Sequence, residues 1–97
     1  MLFKLKIKNK IKKILKDANI NYKLIEVEKN RIWIHIIVVS EDFIGKTSSE
    51  RENIMWREFE KEFDDEAILS ISQCYFLTQE EHFLLIKKWE KLDSKRL

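Results

Sequence analysis

Residues 32–51 read IWIHIIVVSEDFIGKTSSER, and the fold can be built outward from this stretch. Its first eight residues are mostly β-branched or aromatic, which predicts a central strand that is covered on at least one face. The loop that follows contains Gly45, the only glycine of the chain. Thr47 or Ser49, each followed three residues later by a glutamate, then fits the capping box that opens a helix. The stretch therefore predicts a buried strand, a turn at Gly45 and a helix.

The residues before this stretch alternate between helical and strand patterns. Residues 7–18 place apolar side chains at helical spacing with lysines on the opposite face. Residues 22–27 then suggest a short strand, and Lys29 with Asn30 is expected to form the tight turn of a hairpin.

The residues after the stretch continue the same alternation. The helix that begins near Thr47 should break near Phe63, because the acidic residues that follow disfavour a helix C-terminus. Residues 67–77 resemble a third strand. Thr78 and the glutamate three residues later form a further capping box, which opens a last helix.

These elements predict an α+β fold. The order is α-β-β-α-(α)-β-α, a two-layer sandwich with a three-stranded sheet and helices packed on one face. We expect one domain over residues 1–97, with its core at about 7–82 and a C-terminal helix at about 78–93.

Composition limits the classes of protein that this chain can belong to. The 97 residues are 44% hydrophobic, which is enough for a modest core. The single cysteine, Cys74, excludes an internal disulfide and fits a reducing compartment. The sequence has neither the pattern of a signal peptide nor an apolar run that spans a bilayer, so we expect a cytoplasmic protein without membrane contact.

Charge is distributed unevenly along the chain. Residues 1–24 hold eight lysines and one acid, whereas residues 41–66 hold ten acids and four bases. Two solvated faces of opposite sign explain this pattern. Alternatively, the basic first helix docks on phosphate or on an acidic partner, in which case Lys12 and Lys13 are the candidate contacts.

Few residues could support metal binding. Zinc or iron ligation needs His, Cys or carboxylate groups at suitable spacing. His35 and Cys74 are weak candidates, because they lie in two predicted strands and could face each other across the sheet. A buried cysteine and a hydrogen-bonded histidine are the ordinary alternative, so we expect no metal.

The sequence also lacks a catalytic pattern. No Ser or Cys accompanies a base and an orienting group, as nucleophilic catalysis requires. The Gly45-Lys46-Thr47 string ends like a P-loop but lacks the earlier glycine of that motif. We therefore predict a protein that is not an enzyme.

The turn at Gly45 has two interpretations. Gly45 can simply supply a backbone angle that other residues avoid. Alternatively, the free N–H groups of the following helix hold an anion, and Lys46, Thr47 and Arg51 contact it.

The same turn carries a family resemblance. Residues 38–47, VVSEDFIGKT, followed by Arg51, resemble the V-V-S-x-x-F-x-G-K-[ST] string of the BolA family. Residues 69–71 and 77–81 resemble that family's third strand and the segment after it, so the similarity covers roughly residues 7–82. The resemblance implies a type II KH-like fold. It also implies DNA binding and transcriptional regulation, or partnership with a monothiol glutaredoxin around a shared [2Fe–2S] cluster. Ala67 stands where the family has a histidine, so we expect no cofactor.

The leading hypothesis is a non-catalytic regulatory module that binds protein or nucleic acid through the turn. Gly45, Lys46, Thr47 and Arg51 would form the site, with Lys12 and Lys13 in support. One alternative is a glutaredoxin partner in cluster handling. Another is a structural homodimer that uses exposed aromatic residues such as Trp33 or Trp89, so the chain is expected to be a monomer or a homodimer.

Overall fold

The computed structural model describes the backbone of residues 2–96 and the side chains of residues 4–92. The elements follow the predicted order, and the α+β fold class is confirmed. The helices and strands are α1 (Leu2–Asp17), β1 (Leu24–Asn30), β2 (Trp33–Val39), α2 (Ser48–Glu62), α3 (Asp65–Ser70), β3 (Ile71–Leu77) and α4 (Gln79–Arg96). No helix in this part of the chain is both long and apolar enough to cross a membrane.

The three strands form one sheet with β2 in the centre. β1 is antiparallel to β2, and β3 is parallel to β2. The parallel pairing is possible because α2 and α3 carry the chain back across the sheet. Val38 is in register with Ile25 on one side and with Phe76 on the other, so these three residues share one face.

Two predicted boundaries are wrong. Lys29 and Asn30 do not form the hairpin turn, because they continue β1 and pair with Ile34 and Trp33. The turn lies two residues later, and Arg31 takes the positive φ of 58° that a two-residue hairpin loop needs.

The second wrong boundary concerns the residues before β3. Residues 67–70 belong to the short helix α3 and not to a strand. Asp64 caps this helix, since its carboxylate accepts a hydrogen bond of 2.8 Å from the amide of Ala67. Ala67 and Ile68 then pack against the core from the helix.

The main core lies between one face of the sheet and helices α1 and α2. Alternate strand residues point into it, as the two-residue period of a strand requires. The fully buried side chains include Ile11 and Leu15 of α1, Ile36 of β2 and Phe59 of α2. The Phe59 ring contacts the rings of three other aromatic residues edge-on, Trp56, Phe63 and Phe76. This packing gives the two-layer arrangement that the sequence predicted.

The opposite face of the sheet is less completely covered. Trp33, His35 and Ile37 point to this side, because they alternate with the core residues of β2. Trp33 remains exposed, whereas His35 and Ile37 are half-buried. Helix α4 follows β3 in the chain and contacts this face at β3. The ring centres of Trp89 and Tyr75 lie 6.1 Å apart at this contact.

Candidate functional site

Gly45 is explained by its backbone. Its φ of 81° lies in the left-handed region, which residues with a side chain rarely adopt. A Cβ atom at this position would have no neighbour within 4 Å, so close packing is not the reason for a glycine. The geometry favours the interpretation that Gly45 provides a backbone angle.

The loop around Gly45 is held by hydrogen bonds of its own. The Ser40 hydroxyl donates to the Asn21 carbonyl at 2.5 Å, and the amide of Asn21 donates to the Asp42 carboxylate at 2.7 Å. Lys46 Nζ donates to the backbone carbonyl of Asp42 at 3.1 Å. The bonds to Asn21 fix the loop to the segment between α1 and β1, whereas the Lys46 bond lies within the loop.

Thr47 caps α2 with Glu50. The Thr47 hydroxyl accepts a hydrogen bond from the Glu50 amide at 3.2 Å, and the Glu50 carboxylate accepts one from the Thr47 amide at 3.3 Å. Of the two predicted capping residues, the structure therefore selects Thr47 over Ser49. The Glu50 carboxylate already occupies the helix N-terminus at which an external anion was predicted to bind.

Arg51 is buried and connects three elements. Its side chain is only 8% exposed, and Nη1 donates both to the Phe76 carbonyl at 3.0 Å and to the Glu81 carboxylate at 2.6 Å. The guanidinium also lies 5.7 Å from the centre of the Phe43 ring. Nε has no hydrogen-bond partner among the described residues. Arg51 thus serves the contact of α2 with β3 and α4, and it is poorly placed to reach an external ligand.

The contact with Arg51 changes the pKa of Glu81. The hydrogen bond from Arg51, together with one from the Thr78 amide, holds the pKa of the Glu81 carboxyl below its ordinary value. The Thr78 hydroxyl accepts a hydrogen bond from the Glu81 amide at 3.3 Å, which completes the predicted capping box of α4.

The lysines of α1 lie away from the turn. Lys13 Nζ contacts the Glu62 carboxylate at 3.0 Å, which raises the pKa of Lys13. Glu62 is the last residue of α2, whereas Lys46 and Thr47 precede its first residue. A helix of 15 residues is about 22 Å long, so the structure does not bring Lys13 to the turn. Lys12 is exposed on the same helix as Lys13.

His35 and Cys74 lie on opposite faces of the sheet, contrary to the expectation that they could face each other. Cys74 is in register with Ile36 and packs against the core, whereas His35 precedes Ile36 and points to the other side. Burial raises the pKa of the Cys74 thiol above its ordinary value, which disfavours the thiolate that binds metal. Among the residues with described side chains, no three His, Cys, Asp or Glu groups converge on a metal site.

Among the described elements, α4 carries the largest number of exposed large apolar side chains. Four large side chains, each three residues from the next, form a row that winds about halfway around this helix. We call it the α4 ridge, and its members are 57%, 37%, 39% and 47% exposed, in the order Phe83, Ile86, Trp89 and Leu92. The Lys87 ammonium lies 4.7 Å from the Phe83 ring and flanks the ridge with positive charge.

Sequence reasoning named Trp89 as a candidate contact but did not single out Phe83 or Ile86. A signal for their exposure was available. Residues 83–86 are four consecutive apolar residues, and four consecutive positions of a helix point to all of its sides. One neighbour could not cover them all.

A groove of about 380 Å³ lies between α1, the hairpin turn and α3. Its lining includes apolar Ile7, Ile34 and Phe63 together with charged groups of both signs, such as Lys6 and Glu66. The mixture of charges selects no class of ligand.

No protein-family model, curated protein or solved structure matches this chain.

Proposed function

We propose that this chain is a non-catalytic regulatory domain that binds another protein chain through the α4 ridge. The observation that carries the proposal is the exposure of the ridge residues Phe83, Ile86, Trp89 and Leu92. Large apolar side chains that adjoin one another on a surface are typical of interaction sites, whereas isolated ones are not. Trp89 packs edge-on against the ring of Tyr75 and is still 39% exposed, and tryptophan is a common anchor residue in interfaces.

The exposed glutamates of β1 disfavour nucleic acid on the uncovered face of the sheet. Glu26 and Glu28 are exposed on β1, and they alternate with the core residues Ile25 and Val27. They therefore lie on the same side of the sheet as Trp33. Glu28 contacts Lys4 at 2.9 Å, so Glu26 is the carboxylate that disfavours a phosphate backbone on this face.

The proposal is tested by capture of partners with the tagged chain. Ile86→Asp places a charge in the middle of the ridge and should abolish capture of proteins that the unmodified chain retains, as measured by quantitative mass spectrometry. Leu69→Asp is the matched control, because Leu69 is 78% exposed on α3 and lies outside the ridge. Circular dichroism verifies that both variants are folded. Capture that is equally strong with Ile86→Asp would contradict the proposal.

Nucleic-acid binding is a second candidate at a different surface. Lys6, Lys12, Lys13 and Lys16 are exposed on α1, so this helix presents positive charge to solvent. Fluorescence anisotropy with short DNA and RNA should then show binding that weakens steeply between about 50 and 200 mM salt, because phosphate contacts release counterions. Lys12→Glu with Lys16→Glu should remove that binding. Absence of binding at the lower salt concentration would exclude this candidate.

The BolA resemblance stays a prediction, and it would place the partner in transcriptional or stress regulation. The glutaredoxin hypothesis also stays a prediction. Its candidate ligands His35 and Cys74 are separated by the sheet, so those two residues do not supply a joint ligand pair.

A further inference from the structure

We infer that the solvent side of α4 binds an acidic segment of the partner protein, one that carries apolar side chains among its carboxylates. This inference rests on the proposed function and names the chemistry of the partner. The surface combines two apolar and three basic side chains. We call it the α4 outer face, and its members are Phe83, Leu84, Lys87, Lys88 and Lys91.

The helical period places the lysines of the α4 outer face away from the sheet. Leu85 is half-buried and Trp89 packs against Tyr75, so these two residues mark the side of α4 that contacts the fold. Lys87 follows Leu85 by two residues and Lys91 follows Trp89 by two, which is about 200° around a helix. Both lysines are exposed, as this position requires.

Two exposed apolar residues begin the α4 outer face. Phe83 and Leu84 are each 57% exposed. Lys87 follows Phe83 by four residues and Leu84 by three, so its side chain adjoins both on the helix surface. Its ammonium lies 4.7 Å from the centre of the Phe83 ring. Apolar area and positive charge are therefore side by side and open to a partner.

The basic side chains are grouped around Leu84. Lys87, Lys88 and Lys91 line one shallow depression with Leu84, and Glu90 adds a single negative charge to it. Among the described side chains, no carboxylate lies within 4.0 Å of these three ammonium groups. A segment with carboxylates around an apolar side chain would complement this surface in charge and in polarity.

Two exposed glutamates favour a protein segment over a continuous anionic surface. Glu80 precedes the α4 outer face and Glu90 lies within its depression. A nucleic-acid backbone or an anionic membrane presents negative charge continuously and would meet both carboxylates. A protein segment can place a neutral side chain opposite each of them, so it avoids this repulsion.

Selection of short random peptides displayed on phage tests the chemistry of the partner. Peptides that the immobilised chain retains should be enriched in Asp and Glu together with large apolar residues, because complementary charges determine specificity. Lys87→Glu with Lys91→Glu should reverse the preference to Lys and Arg. Arg57→Glu with Lys61→Glu is the matched control, since it reverses two exposed charges at the same spacing on α2. An unmodified chain that retains no peptides, or peptides without this enrichment, would overturn the inference.

Fluorescence anisotropy with a retained acidic peptide measures the contribution of each part of the surface. Lys87→Glu with Lys91→Glu should weaken binding at least about tenfold, because two attractions become repulsions. Leu84→Ser should also weaken it, whereas Leu69→Ser should not, since Leu69 is equally an exposed leucine but lies on α3. Circular dichroism verifies that the variants are folded. Full affinity in Leu84→Ser would overturn the combined apolar and basic surface.

The same variants separate a protein segment from other anionic partners. Vesicles of phosphatidylserine and phosphatidylcholine, and short DNA, should not bind to the α4 outer face. Binding of either one in place of the peptides, with loss in Lys87→Glu with Lys91→Glu, would assign the face to that partner and overturn the inference.

The inference and the proposed function fail in different ways. Retained peptides that are lost in Ile86→Asp but show no preference for acidic residues would overturn the acidic segment and leave the proposed function intact. Capture of proteins and peptides that depends neither on Ile86 nor on the lysines would overturn both.

Discussion

Arg51 is the side chain on which α2, β3 and α4 converge. One nitrogen of its guanidinium binds a backbone carbonyl of β3 and the carboxylate of Glu81 at the start of α4. A buried charge is costly unless it is paired and hydrogen-bonded; these two contacts satisfy Nη1, whereas Nε has no partner among the described residues. An arginine that the sequence offers as a ligand contact therefore has a structural role, because the folded chain supplies its acceptors from β3 and α4.

The pairing of Arg51 with Glu81 predicts a dependence of stability on pH. The pKa of Glu81 is lower in the folded chain than in the unfolded chain, where a glutamate has a pKa of about 4.3. The contribution of Glu81 is therefore present above about pH 4.3 and is lost as the pH falls through the folded pKa. Glu81→Gln should lower the free energy of unfolding at pH 7 by about 1 kcal/mol, because its carboxylate is 44% exposed and screened by solvent.

The measurement is urea unfolding at a series of pH values, and the variant should lose less stability on acidification than the unmodified chain. Glu80→Gln is the control, because Glu80 is exposed on the same helical turn. Equal acid sensitivity of the Glu81 variant and the unmodified chain would argue against the pair.

Gly45 predicts a second effect of a single residue. Gly45→Ala should lower the free energy of unfolding by about 1 kcal/mol. An alanine is strained at a φ of 81°, although there is room for its methyl group. Gly45→Asn should cost less, since asparagine tolerates the left-handed region. Both values follow from the urea midpoint at an unchanged slope. An alanine variant as stable as the original would refute the conformational explanation.

At the scale of elements, α2 and α4 begin in the same way. Each follows a threonine whose hydroxyl accepts a hydrogen bond from the amide of a glutamate three residues later. The two helices differ in what they pack against. Helix α2 buries Met55 and Phe59 in the core, whereas α4 leaves most of its apolar side chains exposed.

The start of α2 can be tested with two neighbouring residues. Thr47→Ala should lower the free energy of unfolding by about 1 kcal/mol, because it removes the acceptor for the first turn of α2. Ser49→Ala should change it by only a few tenths of a kcal/mol, since Ser49 lies inside the helix and is exposed. Thermal unfolding of the two variants provides the comparison. A larger loss of stability for Ser49→Ala than for Thr47→Ala would mean that Ser49, and not Thr47, caps the helix.

The two faces of β2 predict another contrast between neighbours. Ile36 is fully buried beneath α1 and α2, whereas Ile37 is half-buried on the other face. Ile36→Ala should lower the free energy of unfolding by about 3 kcal/mol. Ile37→Ala should lower it by about half as much, because folding removes less of the apolar area of Ile37 from water. Denaturant unfolding measures both, and equal losses would mean that α4 covers its face of the sheet more completely.

At the scale of the whole molecule, the opposite charge runs of the sequence meet. Lysines of α1 lie against the end of the acidic helix α2, as the contact of Lys13 with Glu62 shows. This arrangement supports the interpretation of the two runs as solvated faces of opposite sign. The exposed ion pair itself contributes little stability, since water screens it.

Local sequence patterns were sufficient to predict the class of fold and most of its elements. The β-branched run before Gly45 predicted the central strand, and the threonines followed by glutamates predicted the starts of α2 and α4. These features are local, because hydrophobic period, capping chemistry and a positive φ depend on residues that are close in the chain. The length of the hairpin turn at Arg31 was not predicted, because the sequence lacks the usual asparagine-glycine pair.

The roles of the charged and reactive side chains depend instead on the tertiary structure. It buries Arg51 beside Glu81, places His35 and Cys74 on opposite faces, and separates Lys13 from the turn. It also leaves the side chains of the α4 ridge exposed. These outcomes arise from contacts between residues that are distant in sequence, and the pattern of one segment contains no information about its neighbours in space.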